Sequence, residues 1–280
     1  MSQHRIVITP DSVDRNYWSD LWKYRGLFFF LAWRDIIVRY KQTVIGVAWS
    51  VIRPLLTLSV MAFLGWLFES DLPNDVPRLL LVGAATLPWT FFSTAFDSSA
   101  NSLVSNNNLL TKVYFPRLIV PTSSVIVALI DLLIAFVMVL LIMVAYGFLP
   151  DWRIVFLPVF LLLAMVTALG AGLLIASLNV KYRDFRHIIP FIVQFGLFVS
   201  PVAFSSENIL ANDRIPGFAK ILYSLNPMVS VIDGFRWSLL RGATEIDLVS
   251  FIISCSISIV LLIAGIMYFR NTERGFADVI

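Results

Sequence analysis

The sequence predicts an all-α integral membrane protein: six transmembrane helices, an N-terminal amphipathic interface helix, and two short re-entrant helices before the last span. Three observations carry this. Of 280 residues, 59% are hydrophobic and 14% charged, and the mean hydropathy is +0.84, whereas soluble domains carry about 25% charged residues. Apolar stretches of roughly 20 residues recur, each long enough to cross about 30 Å of hydrocarbon as a helix that satisfies its own backbone hydrogen bonds. Stretches such as "FLPVFLLLAMV" are apolar on every side, whereas a barrel would alternate over segments of about ten residues.

Taken in order, residues 1–45 form a cytosolic segment and 46–280 the transmembrane domain. The opening "MSQHRIVITPDSVDRNYWSD" has no compact apolar core and no small-residue cleavage site, so no removable signal is expected and the tail is placed in the cytosol. On a helix, Arg34, Asp35, Arg39, Lys41 and Gln42 fall within an arc of about 160°, interrupted by Val38. The other side carries Phe29, Phe30, Trp33, Ile36, Ile37 and Tyr40. This predicts a helix in the cytosolic interface, its rings at headgroup depth and its cations facing water or anionic lipid. Two roles stay open: a generic anchor, or an entrance at which Arg34, Arg39 and Lys41 attract a phosphate-bearing lipid substrate.

Six spans are placed at about 46–68, 79–96, 118–149, 155–180, 188–204 and 248–269. An even number puts both termini on one side. With the termini in the cytosol, 15 of the 21 Lys and Arg residues fall inside and six outside, as the positive-inside rule requires. Residues 205–247 hold two apolar stretches too short to span, "FAKILYSL" and "MVSVIDGFRWSLL". These predict re-entrant or interfacial helices separated at Asn226 and Pro227, since proline disfavours helix in the residue before it and starts the next. Between spans two and three, "NNNLLTKVYF" predicts a short cytosolic helix ending before Pro116. Its apolar side chains require a partner, either a groove on a soluble subunit or the membrane interface.

The chain carries no G-x-x-x-x-G-K-[ST], no GxGxxG in a strand-to-helix setting and no G-x-S-x-G. Its two histidines, His4 and His187, belong to no metal-ligand cluster, and the lone Cys255 reads as a packing residue. No metal, no cofactor of its own and no nucleic-acid partner are expected. Asp131 lies more than two turns inside the third span and must find a partner on a neighbouring helix, for structural pairing or for a coupling role in secondary transport, while Asp97 is expected at the cytosolic boundary. Arg53 lies two turns into the first span, where it snorkels to the surface or faces a polar channel. Most aromatic residues serve as lipid-facing belts, and Trp49, Trp89, Phe92 and Phe96 are candidates for a ring-lined conduit for sugars.

Three blocks then bear a specific resemblance: "FLAWRDIIVRYKQTVIGVAWSVIRPLLTLSVMAFLGWLF", "VKYRDFRHIIPFIVQFGLFVSPVAF" and "LNPMVSVIDGFRWSLLRG". They resemble type-2 ABC exporter permeases that move lipid-linked polysaccharides, closest to the O-antigen exporters; capsule and teichoic acid exporters share the same blocks. The resemblance implies a non-enzymatic homodimer in the bacterial inner membrane, bound to two copies of a separate cytosolic ATPase that holds ATP and Mg. It also implies that residues 29–42 are the interface helix, whose Arg34, Arg39 and Lys41, with Arg53, are the entrance candidates, and that a coupling helix lies at about 103–115. That helix would use Asn108, Leu109, Leu110, Tyr114, Phe115 and Arg117. The outer gate would lie at about 206–240, with Asn226, Pro227 and Arg236. Small-molecule export by the same superfamily and membrane-embedded glycosyl or acyl transfer are the competing functions.

Overall fold

The computed structural model describes residues 17–41, 46–68, 76–182, 184–210, 215–273 and 275–276, and among them every regular element is helical. Two helices nearly continuous with each other come first, α1 (Tyr17–Lys23) and α2 (Arg25–Lys41); the amides of Leu27 and Phe28 both bond to the Tyr24 carbonyl across the join. Then follow α3 (Gly46–Phe68), α4 (Arg78–Ser105), the single turn α5 (Asn107–Leu110) and α6 (Ile119–Ala145). A 3₁₀ turn at Trp152–Phe156 leads into α7 (Leu157–Lys181), and α8 (Phe185–Val199) follows. Three short helices, α9 (Ser206–Leu210), α10 (Gly217–Ser224) and α11 (Pro227–Leu239), precede α12 (Leu248–Glu273).

Four described helices are long and apolar enough to cross a membrane: α4, α6, α7 with its 3₁₀ lead-in, and α12. Within α3 the apolar stretch is Pro54–Leu64, and α8 has 15 residues. The central helix is α4, packed by α3, α6, α7, α8 and α11. We call the end where α1, α5 and the last turn of α12 meet the near end, and the opposite end the far end.

Helix boundaries differ from the expected ones for local reasons. α4 continues nine residues beyond Phe96, and its last turn keeps its polar side chains bonded on the helix itself: Ser102 Oγ to Ser99 O at 2.7 Å, and the capping Asn106 Nδ2 to Ser102 O at 2.8 Å. Asp97 therefore stands two turns before the end of this helix. The helix expected over 103–115 is instead the end of α4, the turn α5 and an irregular segment up to Pro116. α6 stops at Ala145, ahead of the expected Leu149, because Gly147 at φ +67 closes a Schellman cap with Phe148 N to Met143 O at 2.9 Å. α8 ends at Val199, five residues before Phe204, since Pro201 holds Ser200 extended at φ −91, ψ 149.

Where helices must come closest, the sequence supplies small residues. A Cβ at Gly170 of α7 would meet the Leu262 backbone nitrogen of α12 at 2.6 Å, and one at Gly265 would meet the Gly170 carbonyl oxygen at 2.5 Å. Thr167 and Ser258 share a hydrogen bond of 2.7 Å across the same seam. Close backbone approach with interhelical hydroxyl pairs is how helices associate in lipid, where no hydrophobic effect drives them together.

Candidate functional site

At the near end, the segment joining α4 to α6 is anchored rather than free. Leu110 and Phe115 are buried in a cluster with Tyr17, Leu31, Leu103, Leu118, Phe269 and Phe276. Arg117 donates its backbone N–H to Glu273 Oε1 at 2.8 Å and its guanidinium to the Glu273 carbonyl. Tyr17 of α1 donates to the other carboxylate oxygen at 3.0 Å. Burial, with the Glu273 carboxylate next in effect, pushes the Tyr17 phenol upward, so it remains a donor. Glu273 thus ties α1, the α4–α6 segment and α12 into one unit. Sequence reasoning missed Glu273 and Tyr17, because their pairing spans 256 residues.

Within this segment the expected coupling residues divide in two. Phe115 is 4% exposed and Leu110 6%, so both hold the segment in place, while Tyr114 at 57% and Val113 at 51% project outward. Asn108 is exposed, and Leu109 and Arg117 are partly so.

Beside it, α2 turns two of its cations, Arg34 and Arg39, toward the protein. Arg34 bonds to Asp35 and, through Nη2 at 2.6 Å, to Asn106 Oδ1 just past α4. Arg39 Nη2 lies 2.8 Å from Asp131 Oδ2, and the Tyr40 hydroxyl donates to Asp131 Oδ1 at 2.5 Å. This is the partner that Asp131 required, about 18 Å along α6 from its start at 1.5 Å per residue. The expected cationic face toward water or lipid is therefore corrected for Arg34 and Arg39: a carboxylate at that depth and a carboxamide at the end of α4 outcompete solvent for them. Lys41 is exposed, as are Phe29, Phe30 and Trp33 on the ring-bearing side. Trp49 and Arg53 sit on α3, and their side chains lie outside the described residues.

The aromatic candidates on α4 are packed within the chain: Trp89 is 4% exposed, Phe92 8% and Phe96 1%. Phe92 lies between the other two, at centroid distances of 5.4 and 5.9 Å. Gly196 of α8 admits the indole, since a Cβ there would meet Trp89 Cη2 at 2.7 Å. In this structure they fill space, and another face of α4 is open.

At the far end, Asn226 accepts from Met228 N at 3.0 Å and Pro227 opens α11, as expected of the Asn-Pro pair. Asn226 Nδ2 also donates to Ser200 Oγ at 3.0 Å, joining α11 to the break after α8. Arg236 has no exposed surface. Its guanidinium donates to Leu81 O at 3.2 Å, Phe204 O at 2.9 Å and Val202 O at 3.2 Å, with Asp233 Oδ1 at 3.9 Å. Arg236 therefore clamps α11 to α4 and to the chain after α8, where Pro201 has released carbonyls from helical bonding.

Apolar helices of spanning length, a small-residue helix seam and an intramembrane ion pair define a polytopic α-helical membrane protein. No group of three or more His, Cys, Asp or Glu suited to a metal occurs among the described residues. The chain belongs to the ABC-2 type transporter family, whose model matches residues 26–240. It is similar to the O-antigen export system permease protein RfbA of Myxococcus xanthus, 29% identical over 260 residues, covering 92% of this chain and 97% of that one. Two proteins of the same name from Klebsiella pneumoniae are 24% and 23% identical, each covering 88% of this chain and 92% of its own length.

Proposed function

We propose that this chain is the transmembrane subunit of an ATP-driven exporter that moves undecaprenyl-diphosphate-linked O-antigen across the bacterial inner membrane. The observation that carries the proposal is the near-complete alignment, with family membership, to permeases named for O-antigen export. In this reading the near end is cytosolic and holds both termini. α3 and α8 complete a set of six spans, and α9, α10 and α11 form the outer gate. Two copies act together, each with one copy of a separate ATPase that binds ATP and Mg, since this chain has no phosphate-cradling motif.

The geometry supports a way to use that motor. Val113 and Tyr114 project from the near end on a segment held by Leu110, Phe115 and Arg117. A push on that segment reaches α4 and α6 directly, and reaches α12 and α1 through Glu273. At the far end, Arg236 carries displacement of α4 into α11. Deleting the gene should leave lipid-linked polymer in the cytosolic leaflet and strip it from the cell surface. Normal surface polymer in that strain would overturn the proposal.

A further inference from the structure

Between Thr90 and Asn101, every residue of α4 that is not buried is polar: Thr90, Ser93, Thr94, Asp97, Ser98 and Asn101. At 100° per residue they occupy one arc of about 140°. The other spanning helices do the opposite. Their open positions are mainly aliphatic, among them Leu133 and Val137 on α6 and Ile259 and Ile263 on α12, with Ser256 of α12 bonding to its own helix's Ile252 carbonyl. A face centred on an exposed carboxylate is not one that lipid solvates, because an ionisable side chain in hydrocarbon costs several kcal/mol.

The same face of α4 is closed further along the helix. Seven residues before Thr90, a Cβ on Gly83 would meet Leu58 of α3 at 3.4 Å and Val139 of α6 at 3.6 Å. Neighbouring helices thus cover the far half and leave the near half open, with the Arg39–Asp131 pair beside it: Arg39 also attracts the Asp97 carboxylate. The result is a polar strip on the near half of α4, with Asp97 exposed and the other five residues partly so.

We infer that this α4 stripe lines the water-filled path and hydrogen-bonds the hydroxyl groups of the polymer's sugars, not its diphosphate end. The inference rests on the export reading above and names the part of the cargo that this site takes. Its chemistry is that of acceptors. The Thr90 hydroxyl spends its proton on Thr86 O at 2.8 Å and the Ser93 hydroxyl on Thr90 O at 3.1 Å, so each offers lone pairs outward. The Asp97 carboxylate only accepts when ionised. Acceptors at Thr90, Ser93 and Asp97 complement a ligand rich in O–H donors, and the Asp97 carboxylate repels the oxygens of a diphosphate. A second copy of this chain would have to bury the Asp97 carboxylate, for which α4 itself offers only the Asn101 carboxamide, and the test below separates that outcome.

The test uses the permease with its ATPase in inside-out membrane vesicles, in a Cys255→Ser background. Single cysteines are placed at Thr90, Thr94 and Asn101, and at Leu133, Val137 and Ile263 as lipid-facing controls. A charged, impermeant thiol reagent should label the first set at least about tenfold faster, since lipid-facing thiols lie beyond its reach. Vesicles from cells that make the lipid-linked polymer should show labelling several-fold slower than vesicles from cells blocked in its synthesis. Equal labelling of stripe and control positions would overturn the inference. So would rapid stripe labelling that the polymer leaves unchanged, or slow labelling with stripe cysteines that cross-link two copies. The deletion phenotype tests the export reading separately, so loss of polymer dependence in both experiments is distinguishable from loss in the vesicles alone.

Discussion

Replacing Asp131 with leucine removes the single acceptor shared by Arg39 and Tyr40, and the structure sets the size of the effect. The carboxylate lies 2.8 Å from Arg39 Nη2 and accepts from the Tyr40 hydroxyl at 2.5 Å, and the two charged side chains are 19% and 34% exposed. Exposed ion pairs contribute up to about 1 kcal/mol, whereas breaking a buried one costs about 3–5 kcal/mol. A half-buried pair with an additional charge-assisted hydrogen bond falls between these, at about 3 kcal/mol. For a chain of this size that corresponds to a melting temperature lower by about 6–12 °C. The assay is thermal unfolding of the detergent-purified protein, followed by tryptophan fluorescence. Asp131→Asn keeps a neutral acceptor and should lose roughly half as much. Arg39→Gln strands the carboxylate, and combining it with Asp131→Asn should cost at least about 1 kcal/mol less than the sum of the single changes. A loss under about 2 °C for Asp131→Leu, or strict additivity in the double variant, would refute the claim that this pair docks α2 on α6.

Other regions make distinct predictions. Arg236→Met leaves the Val202 and Phe204 carbonyls without this donor, while Leu81 O keeps its bond within α4; at about 1–3 kcal/mol for each of the two, the protein should fail to purify as a monodisperse species in gel filtration. Gly170→Val drives side-chain atoms into the Leu262 backbone and should destabilise by about 1–3 kcal/mol, read as a lower melting temperature, while Gly26→Ala, with open space around it, should not. Val113→Ser with Tyr114→Ser should abolish co-purification of the ATPase yet leave permease melting unchanged, whereas Phe115→Ala should lower melting by roughly 3 kcal/mol equivalent. Asp247 caps α12 by accepting from Val249 N, Ser250 N and Ser250 Oγ; the Ser250 hydroxyl, chiefly, holds its carboxyl below the usual 3.8. Its contribution is present above pH 3.8 and lost as pH falls through the lowered folded value, so an Asp247→Ala melting deficit of about 1 kcal/mol at pH 7 should disappear at strongly acid pH.

Much of the outline was legible in the chain itself. Apolar runs longer than a bilayer can be satisfied only by helices, so α4, α6, α7 and α12 follow from composition and length. The Asn226-Pro227 break is equally local: the side chain that caps and the ring that fixes φ are adjacent in sequence. Asp131 announced by its type and position that a partner was needed, though not which. Only the tertiary structure supplied Arg39 and Tyr40, joined Glu273 to Tyr17, and turned Arg34 inward, because those pairings cross tens to hundreds of residues and no local periodicity encodes them. It also decided which side of α4 is open. In sequence Trp89, Phe92 and Phe96 were the conspicuous side chains, but rings bury the most apolar area and are drawn to the packed side. The inconspicuous Ser and Thr residues satisfy their protons on their own helix and can remain on the open face. Composition and periodicity therefore determine that this chain lives in a membrane as helices; long-range pairing determines which of those helices lipid can face.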